Sequence, residues 1–406
     1  MPTPARTILA LNAGSSSIKF ALFAWPDLKL LSQGEISGIG GAASCFSVDS
    51  CVDTPFKRNF PIPEHVTAVE VVLDWLRANV DENRLHAVVH RIVHGGAALR
   101  HTREVDDAVL TMLYASRRDD PAHLPQEIHL VEALRRHFTQ ARHVLCFDSS
   151  FHASMPAEAS MLPVPRRYFV AGIKRLGYHG ISCEYLMRRL AALEPPQRAQ
   201  GKVVLAHLGG GASVTAVEHG ESRDTTMGLS PAGGIPMAQR SGDIDPGFAW
   251  HCSHHDQMSA AALQQMLNHE SGLRGIAGGS GDMTQLLARA AADSHAAEAV
   301  SLFCYQARKA VCAMAGALDG IDVLVFAGGI GEHAPAVRER ICAGLVHLGV
   351  QLDARANLAG EALISTPASS VVVRVIRTDE QWMLAENARV LLDGAAAAAG
   401  DSGSVA

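Results

Sequence analysis

Residues 9 to 20 read LALNAGSSSIKF, an apolar run followed by a glycine, three serines and a lysine. Two chemistries use such a set. Ser16 and Lys19 fit the S-x-x-K spacing of serine acyl-transferases, but that chemistry needs a helix and a companion K-T-G, which is absent from the sequence. Here Ile18, Phe20 and Leu22 alternate with less apolar neighbours, so the segment is expected as a β-hairpin. The second chemistry is a phosphate loop, in which backbone N–H groups and hydroxyls around Gly14 cradle an anion and Lys19 adds a point charge. An ordinary hairpin turn explains the same residues without any ligand.

Four more stretches concentrate polar groups. In HRIVHGG (90 to 96), Arg91 ends a strand-like run, either as a site cation or as a salt-bridge partner. His90 and His94 have the spacing of a metal pair only on a helix, and the run alternates like a strand. In CFDSSFH (146 to 152), Asp148 follows VLCF at the expected carboxyl end of a strand, where α/β sites collect; a helix N-cap is the plain alternative. Glycines 177 and 180 bracket His179 in LGYHGIS, which places the ring on a loop. In DTTMGLSPAGGIPMAQRSGDIDPG (224 to 247), Arg240, Asp243 and Asp245 crowd a Gly/Pro-rich turn, either as a site or as a loop closed by its own ion pairs. WHCSHHD (250 to 256) is also suggestive of metal, yet it opens a polar connection and is expected as a solvated face.

The elements that must position these groups form an α/β pattern. At 406 residues with 48% hydrophobic residues, the chain is long enough for two cores. KVVLAHLGGGASVTAVEHG (202 to 220) repeats the grammar of the first hairpin: strand, Gly/Ser knot, strand. HLVEALRRHF and ISCEYLMRRLAAL have helical periodicity. DVLVFAGGIGEHAPAVRERICAGL passes from a strand through Gly328-Gly329-Ile330-Gly331 to a helix expected near Pro335, a junction that brings backbone close to a nucleotide. It lacks the Rossmann glycine spacing, and no G-x-x-x-x-G-K-[ST] occurs. The last residues, DGAAAAAGDSGSVA, are expected to fray. A net charge of -6 with scattered basic residues argues against nucleic-acid binding. Eight cysteines without a C-x-x-C pair, no signal peptide and no long apolar stretch lead to the expectation of a cytoplasmic protein with reduced thiols and no membrane association.

In order, NAGSSSIKF, HRIVHGG, FDSSFHASMP, GYHGIS, HLGGGAS, DTTMGLSPAGGIPMAQRSGDIDPG, FAGGIGE and RTDEQ closely resemble the acetate kinase family with its propionate-kinase relatives, from residue 7 to about 390. The resemblance implies two duplicated actin-like (ribonuclease H-like) α/β domains with a nucleotide cleft between them. Residues 1–148 plus about 380–406 would form one domain, and 149–379 the other. It also implies ATP as co-substrate, Mg²⁺ or Mn²⁺, a short-chain carboxylate or acyl phosphate, and a homodimer. Matched position by position, Arg91 and Arg240 would hold the carboxylate and the transferring phosphoryl group. Asp148 and Glu380, with Asn12, would place the metal ion, and His179 would bond the phosphoryl oxygens. Asn12, Ser15, Ser17 and Lys19 match the first phosphate hairpin, and His207, Gly209, Gly210 and Gly211 the second. Asp282, Gly329 and Gly331 fall among the nucleotide-binding positions. Val93, Ala122, Tyr178 and Pro231 would line the acyl pocket.

The chain departs from that pattern at three of these places. Gly210 stands where relatives carry Asn, which opens pyrophosphate as an alternative donor. PAHLP replaces PLHNP, so Ala122 stands for a leucine, and Tyr178 stands for a phenylalanine. Propionate or butyrate preference, a non-enzymatic actin-like ATPase and a sugar kinase are the competing readings. A sugar kinase needs a base aspartate and carboxamides for hydroxyls, where these pocket positions are apolar. A carboxylate with a pKa of about 4 to 5 needs no general base, so a constellation of cations suits acyl phosphate formation.

Overall fold

A computed structural model of the chain describes residues 6–14, 16–41, 43–50, 55–96, 98–118, 120 and 123–401. Ser15 and Ala122 lie outside the described residues, as does Cys51. The chain divides into two compact units, residues 1–150 with 379–406, and residues 151–378.

The first unit is built on a sheet of strands β1 (Thr7–Ala13), β2 (Ser17–Ala24), β3 (Leu30–Ser37), β4 (Ser44–Ser50), β5 (Phe56–Phe60), β6 (Leu85–Ile92), β7 (Arg103–Glu104) and β8 (Arg142–Phe147). Their spatial order is β5-β4-β3-β2-β1-β6-β8-β7. Neighbours from β5 to β1 run antiparallel, whereas β1, β6 and β8 run parallel. Ile8 to Leu11 are all buried, as expected of a central strand covered on both faces. Helices His65–Asn79 and Leu124–His137 bury Val69, Val72 and Leu76, and Leu130 and Leu134, in one core with Leu9, Leu11 and Val88. Truncating one such leucine to alanine costs about 2–5 kcal/mol.

The second unit carries β9 (Val203–Leu208), β10 (Ala212–Glu218), β11 (Glu221–Thr225), β12 (Val323–Ala327) and β13 (Val372–Val375) in the order β11-β10-β9-β12-β13. Here β11, β10 and β9 are antiparallel, and β9, β12 and β13 parallel. This is the order and sense of β3-β2-β1-β6-β8, so the repeat seen in the sequence is a repeat of one sheet plan. Leu186 and Leu190 of helix Gly180–Leu193 pack with Val203, Leu205, Val323 and Val325 in its core.

The structure refines three local expectations. Residues 250 to 254 of WHCSHHD belong to a helix, Pro246–His254: Pro246 opens its first turn and Asp245 caps it, accepting from the Gly247 N–H at 2.6 Å. Its histidines are nonetheless exposed, and Cys252 faces inward. The helix after β12 starts at Gly328, ahead of Pro335; Pro335 opens a second helix, Pro335–Cys342. The C-terminal helix, Glu380–Asp401, continues through the alanine-rich tail. Cysteines 45, 146, 183, 252, 304, 312 and 342 are free thiols.

His90 is not half of a metal pair with His94. It is buried on β6, with Nε2 at 3.1 Å from Nδ1 of His143 on β8 and the rings stacked. His143 Nε2 faces the Phe138 carbonyl at 3.1 Å and must carry its proton there, so His143 Nδ1 accepts from His90. His90 Nδ1 is buried without a partner. Burial first, and the neighbouring ring second, push His90 well below the ordinary histidine range; burial also lowers His143. Because both are depressed in the fold, their contribution to stability is present above the unfolded value of about 6.5 and is lost as pH falls through the folded values. Urea midpoints should therefore fall as pH is lowered below about 6.5, and His90→Leu should flatten that slope. A wild-type profile as flat as the variant's would contradict the assignment.

Candidate functional site

In the first unit, chemistry gathers at the carboxyl ends of the parallel strands. Arg91 is the penultimate residue of β6, and Asp148 follows β8 directly, its N–H bonded to the Ile92 carbonyl at 2.9 Å. Arg91 Nε donates to Asp148 Oδ2 at 3.0 Å, and Nη2 donates to the same oxygen. Nη1 donates to Glu127 Oε1 at 3.2 Å and to the Ala13 carbonyl at 3.4 Å. Glu127 Oε2 accepts the Val93 N–H at 2.9 Å. Asn12 on β1 donates from Nδ2 to Glu380 Oε2 at 3.1 Å, at the start of the C-terminal helix. Ser17 opens β2, and Lys19 stands directly opposite Asn12 in the hairpin. Its ammonium is half-exposed and only 3.8 Å from Glu35, too loose a surface pair to occupy it.

Burial and neighbouring charge oppose each other in this cluster. Burial pushes the Glu127 carboxyl up to about 8 against the pull of Arg91 and the Val93 N–H. Burial and the Asp148 carboxylate push Glu380 up to about 7, opposed by Arg91, Lys19 and the Asn12 amide. The Arg91 guanidinium, which burial alone would lower, is raised by Asp148 and Glu127 beside it. Three carboxylates thus surround one guanidinium, and Asp148, Glu380 and the Asn12 amide offer hard oxygen donors. That donor set, short of positive charge, fits Mg²⁺ or Mn²⁺, which takes one or two carboxylates and fills its other positions with phosphate oxygens and water.

The second unit supplies a different set. His179 caps helix Gly180–Leu193 from a left-handed backbone (φ 60°), and its Nδ1 lies 3.0 Å from Ser213 Oγ on β10. His207 on β9 lies against it, ring centroids 4.4 Å apart, with Nδ1 2.8 Å from Ser182 Oγ; Ser182 in turn meets Thr378 Oγ1 at 2.8 Å. A Cβ placed on Gly211 would sit 3.0 Å from His179 Nε2 and 3.5 Å from Arg240 Nη1, so both side chains meet at the glycine turn. Arg240 Nη1 donates to the Pro231 carbonyl at 3.1 Å. Tyr178 is buried and its hydroxyl donates to the Leu229 carbonyl at 2.6 Å, which satisfies the group that distinguishes it from phenylalanine.

Beside this turn is a cavity of about 430 Å³, lined by Gly209, Gly210, Asp282, Gly329, Ile330 and His333 among others. Asp282 Oδ1 caps the following helix through the Gln285 N–H at 2.9 Å. Gly331 is not part of the lining; it packs toward Phe326 and Ala206. Gly328 (φ 75°) is required by the backbone, since a Cβ there would lie 2.7 Å from the Leu208 carbonyl. Its N–H is taken by Glu332 Oε1 at 3.0 Å, so this donor of the helix start is already used. Asp243 and Asp245 are structural: Asp243 Oδ1 closes its loop on the Gly234 N–H at 2.8 Å, and Asp245 is the cap described above.

Sequence reasoning missed Glu127, Ser182, Thr378 and Glu332. Glu127 shares the buried face of helix Leu124–His137 with Ile128, Val131 and Leu134. An acid inside an apolar stripe was the available signal.

Compared with known proteins, residues 7–386 match the sequence model of the Acetokinase family. An acetate kinase of Rhodopseudomonas palustris (strain TIE-1) is 40% identical over 394 residues, 95% of this chain and 98% of that protein. The structure resembles the crystal structure of Porphyromonas gingivalis acetate kinase with a TM-score of 0.85 at 30% identity, covering 96% of this chain and 100% of that one. A propionate kinase from Francisella tularensis subsp. tularensis gives a TM-score of 0.87 at 32% identity, over 94% and 98% of the two chains.

Two neighbouring glycines should respond differently to a methyl group. The space beyond Gly210 is open, whereas a Cβ on Gly211 crowds His179 and Arg240. Gly211→Ala should lower turnover by about tenfold or more, a loss near 1.4 kcal/mol, and by clearly more than Gly210→Ala, which meets no protein atom. Equal effects in a steady-state assay would show that the glycine turn does not set those two side chains.

Proposed function

The chain belongs to the Acetokinase family, and on that premise we propose that it transfers the γ-phosphoryl group of ATP, reversibly, to a short-chain carboxylate to give an acyl phosphate. The observation that carries this reading is Arg91, held at a strand end by Asp148, Glu127 and the Ala13 carbonyl. A fixed guanidinium recognises a carboxylate, and no base is needed to activate one.

Arg91 takes the acid and Arg240 the phosphoryl group in transit. His179, fixed through Ser213, donates to a phosphoryl oxygen, and Lys19 offsets charge on the phosphates. Gly209, Gly210 and Gly329 admit the nucleotide to the cavity they line, while Val93, Pro231 and Tyr178 bound the acyl group. A bound Mg²⁺ or Mn²⁺ would supply charge neutralisation for the phosphates; Asp148, Glu380 and Asn12 would hold it. The chemistry is then alignment of two anions and cancellation of their repulsion. A homodimer and a cytoplasmic location extend the same premise. Among the described residues no helix is long and apolar enough to cross a membrane.

The test is ATP- and Mg²⁺-dependent acyl-hydroxamate formation from acetate, propionate and butyrate, with pyrophosphate as a competing donor. Arg91→Ala and Arg240→Ala should each reduce kcat by about 10³ or more, the scale of arginine stabilisation in phosphoryl transfer, with folding retained. Either variant keeping above about a tenth of wild-type turnover, a loss under roughly 1.4 kcal/mol, sinks its assigned role.

The acid itself is a separate proposal, resting on Ala122 at the position where the family resemblance implies a leucine. Space for one or two methylenes, each contributing about 0.8 kcal/mol, raises propionate relative to acetate. kcat/KM for propionate should at least equal that for acetate, and Ala122→Leu should restore acetate preference. A wild type that strongly favours acetate, unchanged in the variant, removes Ala122 from the pocket.

A further inference from the structure

We propose that Glu127 is a positioning residue that clamps Arg91 to the backbone at Val93, so that helix Leu124–His137 sets the orientation of the carboxylate-binding guanidinium. This inference rests on the functional reading given above.

Arg91 is gripped on two edges. Nε and Nη2 go to Asp148; Nη1 goes to Glu127 and to the Ala13 carbonyl. One Nη2 N–H remains after those bonds, from the five that a guanidinium offers. If Asp148 is also a metal ligand, its hold on the Nε edge is shared with the ion. Glu127 has no such second duty. It is buried, and its two oxygens accept from two different donors, Arg91 Nη1 at 3.2 Å and the Val93 N–H at 2.9 Å. Val93 follows Arg91 by two residues, so one carboxylate ties the arginine's head to its own strand end. Glu127 is in turn fixed by its place in the first helical turn, its N–H donating to the His123 carbonyl at 3.1 Å.

Neither near-isostere can replace this geometry. Gln keeps one acceptor oxygen but must turn its NH₂ toward either Arg91 or Val93, donor against donor. Asp keeps the charge but is one methylene shorter, so a helix-borne carboxylate cannot span both donors. A residue acting only on stability would affect both substrates through the fold. A clamp on Arg91 affects the acid selectively.

The experiment uses the full chain, with Glu127→Gln and Glu127→Asp each read in two ways. Steady-state kinetics should show kcat/KM for the carboxylate reduced by about tenfold or more, the cost of misplacing a binding group, while KM for ATP stays within about twofold. Labelling with phenylglyoxal, followed by peptide mass spectrometry, should show Arg91 modified several-fold faster than in wild type and other arginines unchanged. If Glu127→Gln fails to fold, Glu127→Asp carries both readouts. An unchanged carboxylate kcat/KM, a loss shared equally by the KM for ATP, or an unchanged Arg91 labelling rate overturns the clamp. A wild type that forms no acyl hydroxamate overturns the functional reading instead, and the labelling rate, which needs no turnover, still decides the clamp.

Discussion

One buried guanidinium among three carboxylates constrains the first unit more than any other contact. Arg91 meets Asp148 and Glu127 directly, and Glu380 lies close enough for its charge to be felt. Taking one member away from a buried pair of this kind costs about 3–5 kcal/mol, because the other charge is left uncompensated. The backbone follows from that requirement. β6 and β8 must run parallel and side by side to bring Arg91 and Asp148 to the same end, and β1 must lie beside β6 for the Ala13 carbonyl to reach Nη1. Burial, with the Asp148 carboxylate second at Glu380, raises Glu127 and Glu380, so Arg91 alone does not offset the cost of burying these acids. A cluster in this state gains from any added cation, which makes it a poor place for stability and a good one for ligand binding.

The second unit meets its task with few charges. Its hydrogen-bonded chain, Thr378 to Ser182 to His207, and the Ser213 hydroxyl at His179 fix two imidazoles, tilted against each other, through neutral hydroxyls. Behind the cavity, Arg338 is fully buried and donates to the carbonyls of Gly331 and Glu332 and to Asn357, all at 2.8 Å. These bonds take up carbonyls at the end of the short helix Gly328–His333, which would otherwise be left without partners. The glycine segment that lines the cavity is therefore held by a cation at its end and by Glu332 at the Gly328 N–H.

Much of this arrangement was legible in the sequence, for physical reasons. Alternation in SIKFALF and the Gly/Ser knots announced both hairpins, because period-two patterning and turn glycines are local signals. The order of the parallel strands was not local, and only the repeat of the hairpin pointed to two similar sheets. Arg91 and Asp148 stood out because charged residues at strand ends are conspicuous. Glu127 did not, because its partners lie far away in the chain and its charge is hidden within an apolar helical face. Asp243 and Asp245 were conspicuous for the opposite reason: their bonds are short-range, to Gly234 and Gly247, so they closed a loop and capped a helix. The polar run at 250 to 254 was expected as a solvated face, and its histidines are exposed, but they hid the helix that Asp245 and Pro246 start.

The duplicated hairpins show how one backbone came to serve two chemistries. In the first, the last pair before the turn is Ala13 with Ile18, and the next rung back is Asn12 with Lys19. In the second, the last pair is Leu208 with Ala212, and the next rung back is His207 with Ser213. The rung at the turn is apolar in both, so it serves the core. The rung behind it points to the opposite face and is polar in both. At this equivalent position the first hairpin carries an amide and an ammonium beside Glu380, and the second an imidazole and a hydroxyl beside His179. Period-two alternation preserves the choice of face, so substitutions on that rung alter the chemistry without disturbing the sheet that presents it.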